Sequence, residues 1–292
     1  MTAHGMPGFM LLAGRRCLIT RWDPPDGRLR ASLLVAQGFG DEANLCRRMI
    51  RLLAQALQPK GIRTVVVDFS GTGDSAGMLS DASLDCWMEE FAAIHVAIRD
   101  RSFEPDEVAG AGRHRTEGPP WAQPPVFALG IRFGAWLALS RLSSHEPDFA
   151  GLILWAPVLR GTDQLRERER LLLASARVAR GSPPDAAERG DRSEAHRDEL
   201  APGARLLAQL SMSEAPAPRG GQRLALFDLR NLGGDEPVQP TRRSLDAALQ
   251  WQDAGSETDI RALASAPFWN VSDPVDCPAL IDATVGCLDR WS

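Results

Sequence analysis

Arg132 sits between Gly130 and Gly134, after the apolar run that begins at Val126 and before an Ala/Leu-rich pattern that reaches Ser140. That is the frame of a strand–turn–helix elbow, Gly-x-Ser-x-Gly, which exposes a nucleophilic serine at the top of a sheet. The two glycines suit a sharp turn where the backbones of strand and helix come close. The chemistry does not follow, because a guanidinium stays protonated at any ordinary pH and cannot attack a carbonyl. Arg132 has two readings. Its charge is paired internally, with a carboxylate such as Asp68, Asp74 or Asp235, or it faces a pocket and holds an anionic ligand through parallel hydrogen bonds.

Other residues offer weaker chemistry. Ser75 closes the turn that begins at Asp68 and is a further candidate nucleophile, although turn serines usually bond the local backbone. His95 lies among apolar helical positions and reads as packing. Cys46 and Cys86 fall on helical stretches with no visible base and read as packing thiols. Gly71 and Gly73 resemble a phosphate loop superficially, since no Lys-Ser/Thr pair follows them.

The elements that must position these residues alternate. Apolar or β-branched runs predict strands at Phe9–Leu12, Arg16–Trp22, Leu29–Ala36, Arg63–Asp68, from Val126 to the elbow, and at Gly151–Trp155, Arg223–Leu229 and Thr258–Leu263. Helical stripes occupy Glu42–Leu57, Ser83–Arg99, the stretch after Gly134, Thr241–Trp251 and Pro278–Trp291. Strands alternating with helices predict an α/β fold, a mostly parallel sheet of about eight strands covered on both faces. Residues 103–125 carry Pro, Gly and charge without periodicity and read as a mobile surface insertion. From 159 to 221 the composition shifts to charge, with helical patterns at Gln164–Arg180 and, interrupted by Pro202, at Glu194–Gln209. This predicts a core of residues 1–158 and 222–292 with a helical cap inserted at 159–221. The run from Arg166 to Arg170 reads as a solvated face of alternating charge.

Composition narrows the partners. A net charge of −5 over 292 residues argues against binding nucleic acid through bulk charge. No run approaches the roughly 18 apolar residues of a membrane span. Met1 to Arg16 lacks the pattern of a signal peptide. Five scattered cysteines without ligand spacing suggest reduced thiols in a cytoplasmic protein, with neither metal nor cofactor implied.

In order, these segments resemble the α/β-hydrolase superfamily over nearly the whole chain. Gly38–Asn44 with Arg47, Arg48 and Met49, Gly71–Gly77, Gly130–Ala135, Leu154–Val158 and Pro267–Trp269 together resemble the "hydrolase 2" proteins associated with the exosortase A system. Those are encoded beside bacterial exopolysaccharide and PEP-CTERM sorting genes. The resemblance implies a nucleophile at the elbow, an acid after a late strand and a histidine after the last strand. The nucleophile position holds Arg132. The acid position falls on Asp235, with Asp228 disfavoured because it lies within a strand. The histidine position is empty: no histidine follows His196, and the loop Ala264–Trp269 is aromatic there. Gln37 and Gly38 stand where many relatives have His-Gly. Backbone N–H groups at that loop could still bind an anion, while the Gln37 side chain shapes the loop. Glu42 and Asp74 fall near the pocket mouth as cap or loop partners. The resulting pocket set is Arg132, Gln37, Gly38, Phe39, Phe133 and Asp68. Two functions fit. One is a non-catalytic binding or accessory protein taking a small anionic or acyl ligand, or a protein partner of the sorting or polysaccharide system. The other is a hydrolase of ester or acyl bonds with a rearranged site.

Overall fold

The computed structural model describes residues 4–100, 123–143, 149–180, 201–231, 238–271 and 273–292, with the backbone alone for 174–180. The strands are β1 (Met6–Leu12), β2 (Arg15–Trp22), β3 (Ala31–Ala36), β4 (Ile62–Asp68), β5 (Val126–Ile131), β6 (Leu152–Trp155), β7 (Arg223–Arg230) and β8 (Glu257–Ala264). The helices that matter are α1 (Asp41–Leu57), α2 (Leu84–Arg99), α3 (Gly134–Ser143), α4 (Gly161–Arg180), α5 (Ala204–Met212), α6 (Arg242–Asp253) and α7 (Pro278–Trp291). Among the described residues these strands form one sheet in the order β1-β2-β4-β3-β5-β6-β7-β8. The pairs from β4 to β8 are parallel, while β2 runs antiparallel to both β1 and β4.

Local sequence explains each element. Ala13 and Gly14 both take positive φ, 47° and 80°, which matches the right-handed twist of the β1–β2 hairpin they join. β3 and β5 are buried along their whole length, as expected for central parallel strands. Ser83 caps α2 by accepting from the Cys86 N–H at 3.3 Å. Two apolar layers sandwich the sheet. One sets Met49, Ile50 and Leu53 of α1 with Leu280 and Leu288 of α7; the other sets Phe91 and Ile94 of α2 with Leu137 and Leu142 of α3.

The predicted alternation is therefore present, with most boundaries moved by a residue or two; β1 and α4 each start three residues earlier than expected. β3 starts at Ala31, two residues later than expected. The helix expected over Glu194–Gln209 appears from Ala204 to Met212, beyond Pro202. Its predicted first half lies outside the described residues, as do most of the 103–125 insertion, the linker after α4 and the loop carrying Asp235.

One feature of strand order fixes the site. β3 pairs with β4 on one side and β5 on the other, so the chain reverses its direction of winding there. Crevices in open α/β sheets form at such a reversal, outside the carboxyl ends of the strands. Gln37 leaves the end of β3 and Arg132 the end of β5, with Ala36 and Gly130 in register.

Candidate functional site

Arg132 occupies the left-handed region, with φ 54°. Such a conformation costs a non-glycine residue about 1–3 kcal/mol and persists where neighbours over-determine it. Here the Arg132 N–H donates to the Trp155 carbonyl at 3.0 Å, and its own carbonyl accepts from Ala135 at 3.1 Å and Val158 at 3.0 Å. The flanking glycines are steric requirements. A Cβ on Gly134 would sit inside the van der Waals radius of the Ala36 carbonyl oxygen, and one on Gly130 would lie 2.5 Å from the Ala135 Cα. The frame therefore builds a nucleophile elbow and delivers an arginine.

The guanidinium is enclosed, with Arg132 only 7% exposed. Nε donates to Glu42 Oε1 at 3.3 Å, Nη1 to the Ala156 carbonyl at 2.9 Å, and Nη2 to Glu167 Oε2. The Trp269 ring lies against it, with Arg132 Cζ 4.5 Å from the ring centroid, a cation–π arrangement. Gln164 Nε2 donates to the other oxygen of Glu42 at 3.2 Å. Burial pushes the Glu42 carboxyl above its ordinary range; Glu167 adds to this, and Arg132 and Gln164 oppose it. Two of the expected partners of Arg132 are corrected: Asp68 is engaged elsewhere and Asp74 is exposed, while Asp235 lies outside the described residues. Among the described residues its carboxylate partners come from α1 and α4, because those helices cover the elbow.

Asp68 belongs to a neighbouring network. It accepts from Arg47 Nη2 at 2.9 Å and from Gln37 Nε2. Gln37 Nε2 also donates to the Val67 carbonyl at 3.2 Å, so it ties the ends of β3 and β4 together. Ser75 is spent on the same junction: its hydroxyl donates to the Asp68 carbonyl and accepts from the Leu18 N–H at 2.8 Å. Phe39 packs on Trp87, with centroids 5.8 Å apart, and Phe133 stacks on Trp136 at 5.5 Å. Both phenylalanines are buried, and Gly38 is half-buried between Gln37 and Phe39.

The remaining residues lie away from the elbow chemistry. Asp228, buried in β7, accepts from the Thr241 N–H at 2.7 Å and the Ser244 hydroxyl at 2.9 Å, which secures the start of α6. His95 stacks on Phe149 with centroids 3.9 Å apart. Cys46 is buried, and burial pushes its thiol well above the usual range. No group of three His, Cys, Asp or Glu side chains among the described residues could hold a metal. Sequence reasoning missed Glu167, which sits in the run read as a solvated face. Its spacing from Gln164, three residues along one helix, was the available signal.

Trp269 is the second informative position. It comes from the loop after β8, where a hydrolase of this fold would place its histidine. In this chain the residue from that loop meets the residue at the elbow as an indole against a guanidinium.

Comparison with known proteins agrees with this architecture. No curated protein sequence matches the chain. Solved structures do. Est1E from Butyrivibrio proteoclasticus, with ferulic acid bound, is similar at TM-score 0.57 and 12% identity, covering 97% of this chain and 98% of that one. A highly thermostable carboxyl esterase from Bacillus coagulans is similar at TM-score 0.56 and 11% identity, covering 100% and 99%. XC6422 from Xanthomonas campestris, described as an α/β serine hydrolase without lid, is similar at TM-score 0.51 and 15% identity, covering 99% and 94%. At such identities these likenesses establish the fold alone. The family model described as serine aminopeptidase, S33, matches residues 27–198, more than half of the chain. By that match and by its eight-stranded sheet, the chain belongs to the serine aminopeptidase S33 family, on the α/β-hydrolase fold.

Proposed function

We propose that this chain is a non-catalytic binding or accessory protein built on a hydrolase fold. In this reading residues 159–221 form a cap over the crevice, and the protein serves the cytoplasmic side of the exosortase A, PEP-CTERM and exopolysaccharide context that its motifs resemble. The observation that carries the reading is the pairing of Arg132 with Trp269. A serine hydrolase needs an attackable oxygen at the elbow and an imidazole that can take its proton. A guanidinium and an indole supply neither, since each carries donors and no basic lone pair. Two carboxylates and a backbone carbonyl already satisfy Arg132, so the elbow is a filled polar junction.

The name of the family favours a second reading, a hydrolase of ester or acyl bonds with a rearranged site. Ser75 is the candidate nucleophile in that reading, and its hydroxyl is held by two backbone hydrogen bonds with no base beside it among the described residues. Turnover of p-nitrophenyl esters separates the readings. The purified protein should release no more nitrophenol than a boiled control. Turnover that depends on Ser75 would establish the second reading and end the first.

A further inference from the structure

We propose that the crevice binds a small monoanionic carboxylate, which takes the place of the Glu167 side chain on Arg132. This rests on the crevice being a binding site and adds the chemistry of its ligand. Glu167 is the replaceable member of the network. Glu42 reaches the guanidinium from the core helix α1 and its side chain is 6% exposed; Glu167 reaches it from α4 and is 31% exposed. Arg132 also pairs with Glu42, so releasing Glu167 leaves the guanidinium with a buried carboxylate partner. Exchanging Glu167 for the carboxylate of a ligand strands no charge. Arg132 keeps two anionic partners, and Glu167 turns into water.

The exchange needs one side chain to rotate, not a helix to leave. α4 remains anchored by Asp163, which pairs with Arg243 of α6, and by Gln164, which donates to Glu42. A second donor waits at the same place. Trp269 is 6% exposed, and its indole N–H finds no acceptor among the described residues. That N–H belongs to the ring lying against the Arg132 guanidinium. A buried donor left unpaired is costly, and an indole nitrogen can only donate. A ligand with two acceptor oxygens answers both groups, one oxygen on Arg132 Nη2 and the other on Trp269 Nε1. A carboxylate has that pair in the planar form that Glu167 already presents. A phosphate dianion brings an extra negative charge toward Glu42, which stays in place, and is disfavoured by like-charge repulsion.

Calorimetric titration of the full chain with sodium butyrate and with inorganic phosphate tests this. Glu167→Gln removes the internal competitor. It should bind butyrate at least about tenfold more tightly than the unaltered protein, the scale of one charge-assisted hydrogen bond. Adding Trp269→Phe, which keeps a ring and loses the N–H, should cost about tenfold in that background. Butyrate should also raise the melting temperature of Glu167→Gln more than that of the parent, which shows that the variant is folded. Equal butyrate affinity in the parent and Glu167→Gln, or no binding by either, overturns the proposal. A gain for phosphate as large as that for butyrate overturns the choice of a carboxylate. Ester turnover would defeat the non-catalytic reading and leave these titrations to stand or fall alone.

Discussion

Arg132 brings a permanent charge into a strained and nearly dry position, and the carboxylates around it decide what its removal costs. Arg132→Ala leaves Glu42 buried without its cation and should lower stability by roughly 3–5 kcal/mol. Urea denaturation measures this directly. Replacing the network together, as Arg132→Met with Glu42→Gln and Glu167→Gln, should recover much of the loss, because no charge is then stranded. If the single variant is as stable as the parent, the ion pairs of the elbow are not holding the fold. His95 makes a second prediction at this scale. Burial, with Arg141 and Arg99 nearby, pushes its pKa from 6.5 down to about 3. The unfolded chain therefore takes up this proton first as the pH falls. The stability tied to neutral His95 is full above pH 6.5 and is lost as the pH drops from 6.5 through 3. The loss is on the order of 3–5 kcal/mol. His95→Phe should flatten the fall in urea midpoint across that window; an unchanged slope would place the acid sensitivity elsewhere.

The elements of the elbow are set by close backbone approach. Gly134→Ala drives a methyl into the carbonyl of Ala36 on β3, where backbone cannot give way. Overpacking of this kind costs about 1–3 kcal/mol and more where neither side relaxes. Gly14→Ala makes a useful contrast. Nothing lies within 4 Å of the added methyl, so the cost is the positive φ of 80° alone, about 1–2 kcal/mol. Thermal melts should rank Gly134→Ala below Gly14→Ala, and the reverse order would show that α3 can slide away from β3. The same contrast explains what the sequence disclosed. Gly130 and Gly134 answer to steric demands within one turn, so the elbow could be read from spacing. The partners of Arg132 could not. Glu42 lies 90 residues before it and Glu167 35 residues after it, on helices whose docking depends on the whole sheet. Glu167 also sits beside Arg166, whose side chain is 68% exposed, so a charge run that looks uniform divides between solvent and crevice.

Across the whole molecule, the order of strands explains why these residues meet. The reversal between β4, β3 and β5 opens a crevice at their carboxyl ends. β3 brings Gln37 there and β5 brings Arg132. The loop after β8, from the far edge of the sheet, returns Trp269 to the same place. Strand–helix alternation made that architecture legible, because each buried strand and striped helix declares itself locally. The content of the crevice was legible only in part, as an arginine where a serine would stand and an aromatic loop where a histidine would. Their contact with each other depends on how far the last loop folds back. Among the described residues no helix is long and apolar enough to cross a membrane, and the net charge of −5 gives no general attraction to nucleic acid. In the proposed reading the crevice is the feature on which function turns, and among the described residues it holds no activated nucleophile. The intact mass of the protein after incubation with a fluorophosphonate tests that most directly. The mass should be unchanged, because Arg132 cannot be phosphonylated and Ser75 meets no base among the described residues. A single adduct, lost in Ser75→Ala, would contradict this and make the crevice an active site.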